Sequence, residues 1–119
     1  MLHTPLHSAH IELGARIVPF AGWAMPLQFQ GILAETRAVR NEVGLFDISH
    51  MGRLNIEGPL STTLLNWILT ANVPSLMPGQ AKYSFLCNDD GGIIDDGLLY
   101  RIEEAKYMLV CNASNRQQV

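Results

Sequence analysis

The run Gly91-Gly92-Ile93-Ile94-Asp95-Asp96 sets two adjacent carboxylates at the mouth of an apolar stretch, Gly97-Leu98-Leu99-Tyr100. Ionised carboxylates are poorly tolerated in apolar surroundings unless a backbone donor, a cation or a ligand meets them. Alternation along a strand puts Asp96 on one face with Leu98 and Tyr100, and Asp95 on the other with Ile93 and Leu99. Both faces are apolar, so parity leaves open which carboxylate is buried. In one reading the pair caps a hairpin, accepting backbone N–H groups near the Gly-Gly turn. In the other, one of them is a functional carboxylate in an apolar pocket, with a perturbed pKa, accepting a hydrogen bond from a ligand nitrogen. Tyr83 and Tyr100 fall on neighbouring predicted strands, with Phe85 and Leu98 beside them. Met51, Val110 and Asn112 complete the candidate lining of a flat apolar slot suited to a heteroaromatic ring, although core aromatics are the commoner arrangement.

The other reactive side chains offer less. Cys87 and Cys111 each sit inside a predicted strand and lack the spacing of zinc ligands, so they read as buried free thiols. His3, His7 and His10 could share one helix face at i, i+4 and i+7. With only Glu12 as an acidic neighbour they read as a solvated face, and no metal is assigned.

The elements that must position the carboxylates follow from periodicity and punctuation. Residues 5–15 predict a short helix between Pro5 and Gly14, and residues 15–20 a strand. Residues 21–26 read as a punctuated loop carrying Trp23. Ile32 to Val43 has helical spacing, with Ile32, Ala38, Val39 and Val43 apolar and Gly44 as its C′ residue. Residues 45–49 read as extended. Leu54-Asn55-Ile56-Glu57 alternates like a half-buried strand, ended by Gly58-Pro59. Leu60, Leu64, Leu65, Ile68 and Leu69 then form the apolar stripe of a second long helix. Three strands follow, Lys82–Cys87, Ile93–Arg101 and Lys106–Asn112, joined by hairpin-like turns. A meander packed on helices is an α+β arrangement.

Composition bounds the function. The 119 residues are 48% hydrophobic and 16% charged, which is globular. A net charge of −3 with eight dispersed Lys and Arg excludes a nucleic-acid partner recruited by a basic face. No apolar run reaches the roughly 20 residues of a membrane helix. No charged segment precedes an apolar run as in a signal peptide, so a soluble intracellular protein is expected. The pattern changes near Gly52, and the end after a strand, where another helix is due to begin, is read as that of the leading part of a longer protein.

Several motifs act together. Thr4-Pro5-Leu6, Val18-Pro19-Phe20-Ala21-Gly22-Trp23, Met25-Pro26-Leu27 and Arg37-Ala38-Val39-Arg40 are followed by Gly44-Leu45-Phe46-Asp47-Ile48-Ser49-His50-Met51-Gly52 and by the Gly-Gly-x-x-Asp-Asp run. In that order and spacing, from Thr4 to Arg116, the chain resembles the N-terminal part of the aminomethyltransferase (T-protein) family of the glycine cleavage system, covering about the first third of a full-length member. The resemblance implies an α+β fold of antiparallel sheets with packed helices, the opening third of a three-domain folate-binding ring. Residues 1–51 would be the first segment of a discontinuous folate-binding domain 1, and residues 52–119 most of an α+β domain 2.

By the same resemblance, the reaction takes an aminomethyl group from the lipoyl arm of H-protein and, with tetrahydrofolate, yields 5,10-methylenetetrahydrofolate, ammonia and dihydrolipoyl H-protein. Asp96 matches the family's key carboxylate, which holds and activates the N10 region of the folate, and Asp95 is supporting. Met51, Tyr83, Val110 and Asn112 match folate-lining positions. Tyr100 joins them because it shares a face with Asp96. The partners implied are lipoylated H-protein and folate, with no metal, nucleic acid or membrane. The location implied is bacterial cytoplasm, or the mitochondrial matrix in a eukaryote. Gly97 departs from the bulky aliphatic residue expected there, implying either looser backbone or a closer approach of a strand or ligand. Later folate contacts of the family lie beyond Val119, so the chain alone is expected to be inactive and poorly soluble. The alternatives are a folate-binding relative serving iron–sulfur cluster maintenance, the transferase-like half of a dimethylglycine- or sarcosine-oxidising flavoenzyme, or an inactive fragment.

Overall fold

A computed structural model describes residues 1–119, which divide into two compact units, 1–50 and 51–119. In the first, β1 (Leu2–His3), α1 (His7–Glu12), β2 (Arg16–Phe20), β3 (Trp23–Gln28) and α2 (Ile32–Asn41) follow in order. The sheet order is β1-β3-β2. β2 and β3 form an antiparallel hairpin, and β1 adds to β3 in parallel, so this small sheet is mixed rather than wholly antiparallel.

Three expectations fail here for identifiable reasons. Residues 23–26 are strand and not loop. Ala21 and Gly22 both take positive φ (48° and 81°), the geometry of a tight two-residue hairpin turn closed by Phe20 and Trp23. Pro26 is tolerated near the register shift at Arg16/Ile17, and Trp23, Ala24 and Met25 are buried. α2 ends at Asn41, and Gly44 is not a left-handed C′ residue. Gly44 is instead needed because a Cβ there would collide with Val39. Residues 45–49 pair with no strand. At the start of α2, Glu35 Oε1 folds back to accept the N–H groups of Phe29, Gln30 and Gly31 at 2.8, 2.8 and 2.9 Å. These bonds, those from Gly31 and Phe29 foremost, hold its carboxyl below the ordinary value. The apolar side of α2 has no buried residue.

The second unit contains β4 (Gly52–Glu57), α3 (Ser61–Ile68), β5 (Ala81–Cys87), β6 (Ile93–Glu103) and β7 (Lys106–Cys111). They form a fully antiparallel sheet in the order β4-β7-β6-β5. The Asn88–Gly92 turn joins β5 to β6, closed by Asn88 N–H to Gly92 O at 2.8 Å. One face of the sheet packs beneath α3 and the segment after it. Leu65, Leu69, Val73 and Leu76 meet Leu86, Leu99, Tyr107 and Leu109 there. Each such leucine contributes about 1.5–3 kcal/mol by leaving water. The expected stripe on α3 splits. Leu65 and Leu69 are buried, while Leu60, Leu64 and Ile68 are exposed together with Trp67. The residues facing the sheet are Ser61, Leu65 and Leu69, one turn apart, and the 60/64/68 row lies about 100° round the helix from them.

Candidate functional site on the open face of the sheet

Strand alternation decides which side chains leave the core. On β6, Asp95, Gly97 and Leu99 are buried, and Asp96, Leu98 and Tyr100 take the opposite face. Residues paired across the ladder share that face. Leu98 stands between Tyr83 on β5 and Val110 on β7, with Arg53 of β4 beyond Val110, and Asp96 stands opposite Phe85. Tyr100 lies between Ala81 and Met108, on the Asp96 face but roughly 13 Å along the strand from it. Met51 and Asn112 lie just beyond the last pair of β4 and β7, Gly52 with Cys111. The sheet thus carries Tyr83, Asp96, Tyr100 and Val110 on one side, with Met51 and Asn112 at its end. Tyr83 is 59% exposed and Phe85 is 40% exposed.

The carboxylates have different surroundings. Asp95 is only 2% exposed. Its Oδ2 accepts the Asn112 backbone N–H at 2.9 Å, and its Oδ1 accepts the side-chain amides of Asn112 at 3.0 Å and Asn115 at 2.8 Å. Burial acts to raise the Asp95 carboxyl. The donors from Asn115 and Asn112 outweigh it, so the group stands below its ordinary value. The hairpin-cap reading is therefore corrected: the donors come from the end of β7 and the turn after it, not from the Gly-Gly turn. Asn115 is the residue that sequence reasoning missed. Only its spacing from Asn112, in the short Asn112-Ala113-Ser114-Asn115 run, could have drawn notice.

Asp96 is half-buried. Its backbone carbonyl and its Oδ1 each accept Asn112 Nδ2 at 2.9 Å. Neither asparagine amide engages its Oδ2. One carboxylate oxygen is therefore anchored, and the residue stands opposite Phe85 of β5. Gly97 has a structural reason. A Cβ there would stand 2.7 Å from the Val110 carbonyl oxygen and 3.3 Å from Leu109 Cδ1. A strand approaches closely at this point. Gly52 is similarly constrained, since a Cβ would collide with Cys111 Sγ.

The remaining candidates of the sequence lie elsewhere. Cys111 is buried and Cys87 half-buried, both as free thiols. Burial, and then the charge of Asp95, push the Cys111 thiol up. The three N-terminal histidines do not share a helix face, because α1 begins only at His7. His3 stacks on His7 with centroids 3.9 Å apart. His10 is buried, not solvated, with Nε2 3.4 Å from Asp47 Oδ2. Burial acts to raise the Asp47 carboxyl, and hydrogen bonding from Ser49 foremost brings it below its ordinary value. No group of three or more His, Cys, Asp or Glu is arranged to hold a metal ion. In the first unit, β3, α2 and residues 43–47 border a groove of about 830 Å³. It contains none of the six candidate residues, and its two carboxylates, Glu35 and Asp47, each already accept backbone N–H groups through one oxygen.

The family model described as the GCVT N-terminal domain matches residues 6–119. The chain belongs to this family, that of the glycine cleavage aminomethyltransferases (T-proteins). It is 49% identical over 118 residues to an aminomethyltransferase of Corynebacterium aurimucosum, covering 99% of this chain and 32% of the relative. An aminomethyltransferase of Halothermothrix orenii is 52% identical over 115 residues, covering 97% of this chain and 32% of that one. Among solved structures, the glycine cleavage system aminomethyltransferase T from Bartonella henselae superposes with a TM-score of 0.94 at 42% identity, over 98% of this chain and 33% of that chain. The chain spans about a third of the length of the T-protein relatives it matches. No helix is long and apolar enough to cross a membrane.

Proposed function

We propose that this chain forms the folate-facing part of a tetrahydrofolate-dependent aminomethyltransferase of glycine cleavage. At the relatives' full length it would take the aminomethyl group from lipoylated H-protein and deliver it to tetrahydrofolate. The atoms balance without an outside reagent. Two folate N–H groups are replaced by bonds to the aminomethyl carbon, whose bonds to nitrogen and to the lipoyl sulfur break. The two protons leave on ammonia and on the freed thiol, and the product is 5,10-methylenetetrahydrofolate. The observation that carries this reading is Asp96, with one oxygen held by Asn112, standing opposite Phe85 on the sheet face it shares with Leu98 and Tyr100. A flat ring system bearing N–H donors fits such a surface. Asp96 would orient the attacking nitrogen and accept its proton, which is positioning plus general-base assistance.

Met51, Tyr83, Val110 and Asn112 would line the folate pocket, with Tyr100 at its far end. Residues 1–51 would be the first segment of a discontinuous domain 1 and residues 52–119 most of domain 2 of a three-domain ring. Its setting would be bacterial cytoplasm, or the mitochondrial matrix in a eukaryote. The names of the relatives favour transfer over the iron–sulfur maintenance alternative. The test is ammonia release from aminomethylated H-protein, with and without tetrahydrofolate, by a full-length aminomethyltransferase carrying these residues. Asp96→Asn is expected to lower the folate-dependent rate roughly a hundredfold or more. An unchanged rate would remove Asp96 from the chemistry. A native protein with no folate-dependent rate would overturn the transferase reading.

A further inference from the structure

The side-chain amide of Asn112 has two protons, and its Nδ2 faces three acceptors: Asp95 Oδ1 at 3.0 Å, and the Asp96 carbonyl and Asp96 Oδ1 at 2.9 Å each. One N–H is therefore shared between two oxygens. Reversing the amide would press Asn112 Oδ1 against three acceptors with no proton between them. Asp95 also holds the Asn112 backbone N–H through its other oxygen, and Asn115 donates to Asp95 from the following turn. None of these bonds uses Asn112 Oδ1 or Asp96 Oδ2, and neither is a buried polar atom lacking a partner.

We propose that Asp95, latched by Asn115, is a positioning residue that locks the Asn112 amide with its protons on the carboxylates and its carbonyl on the open sheet face. The edge offered to a ligand then consists of two acceptors, Asn112 Oδ1 and Asp96 Oδ2. It selects a ligand that presents N–H donors there and disfavours one whose nitrogen is substituted. This rests on the folate reading above and deepens it: tetrahydrofolate, with N10–H, should be preferred to 10-formyltetrahydrofolate, which lacks it. Without Asp95 only the two Asp96 oxygens oppose reversal; the amide then reverses part of the time, the edge offers a donor in that fraction, and the preference should relax. A merely structural Asp95 would weaken both ligands alike.

The experiment uses a full-length aminomethyltransferase carrying these residues, with asparagine-selective 15N labelling, and compares the native protein with Asp95→Asn and the milder Asn115→Ala. The Asn112 side-chain signals, identified by their loss in Asn112→Ser, should be exchange-protected in the native protein and lose protection in Asp95→Asn. The ratio of dissociation constants for the two folates should shrink about tenfold in Asp95→Asn, the loss of one good hydrogen bond. It should shrink in the same direction, by less, in Asn115→Ala. If Asp95→Asn does not fold, Asn115→Ala decides. A folded variant that keeps the native ratio, or a native Asn112 amide that exchanges freely, overturns the proposal. A protected amide in a native protein that binds neither folate would overturn the folate reading, and the ligand half of this proposal with it, while leaving the lock standing.

Discussion

Adjacent aspartates on one strand do opposite work because a strand turns successive side chains to opposite faces. Asp95 is buried and meets three donors, so its removal strands the Asn112 backbone N–H and the Asn115 amide, while the Asn112 amide keeps its Asp96 acceptors. Asp95→Ala should cost roughly 3 kcal/mol, since hydrogen bonds to a charged acceptor are worth about 1.5–3 kcal/mol and the orphaned donors add to the loss. Because the folded carboxyl is held below its ordinary value, its stabilisation is complete above the unfolded-state pKa of about 3.9. It is lost as pH falls through the lower folded value. Urea unfolding should therefore separate native protein from Asp95→Ala by a constant gap near neutrality that narrows only in strong acid; a gap that widens in acid would mean that the folded carboxyl is held above its ordinary value. Gly97→Ala sets two effects in opposition. Lower chain entropy in the unfolded state favours alanine by about 0.4–1 kcal/mol. The new Cβ would stand 2.7 Å from a backbone oxygen of β7, which cannot swing aside as a side-chain tip can, and such overpacking costs about 1–3 kcal/mol. The clash wins, and the melting temperature should fall. The sequence made the carboxylate pair and its aromatic neighbours legible. It left open which aspartate faces inward, because Ile93, Leu98, Leu99 and Tyr100 made both faces apolar, and Asn115 was invisible because its role depends on a turn that brings it back across the strand end.

Among the elements, the strands of the second unit were readable because alternation and Gly-rich turns are local signals, and β5, β6 and β7 begin and end within about two residues of expectation. β3 was hidden by Pro26 and by a hairpin turn that places Ala21, a non-glycine residue, at positive φ. The end of α2 was misplaced because Gly44 reads as a terminator while its actual constraint is packing on Val39. α3 shows a subtler limit: five apolar positions at helical spacing identify a helix, yet only tertiary contacts decide which of them face the sheet. Neighbouring leucines make that difference measurable. Leu65 is 0% exposed within the core cluster and Leu64 is 50% exposed. Leu65→Ala should cost about 2–5 kcal/mol, the transfer and cavity terms combined. Leu64→Ala should stay within about 1 kcal/mol, because half of its surface is already in water. Paired urea titrations that gave equal losses would contradict the orientation of α3.

At the scale of the whole chain, residues 1–50 hold the three-stranded sheet and residues 51–119 the four-stranded one. Between α2 and β4 the backbone forms neither helix nor strand. That stretch carries apolar side chains in water: Leu45 is 99% exposed, with Val43 and Phe46 also largely exposed. Contiguous exposed apolar residues mark surfaces that are covered in an assembly or a longer polypeptide, or that aggregate, and the relatives are about three times as long as this chain. Exposed, unpaired backbone is also where proteases cut first, because the segment must leave its native pairing to enter a protease cleft and here there is little to lose. Brief chymotrypsin treatment of the 119-residue chain should cleave first after Leu45 or Phe46, leaving a resistant fragment that contains β4 to β7. The same bonds should be cut at least about tenfold more slowly in a full-length aminomethyltransferase carrying these residues, if the additional polypeptide covers them. Equal rates in both would mean that this apolar segment stays open at full length. First cuts within β5 to β7 would mean that the second sheet is not the stable body its buried leucines and Tyr107 imply.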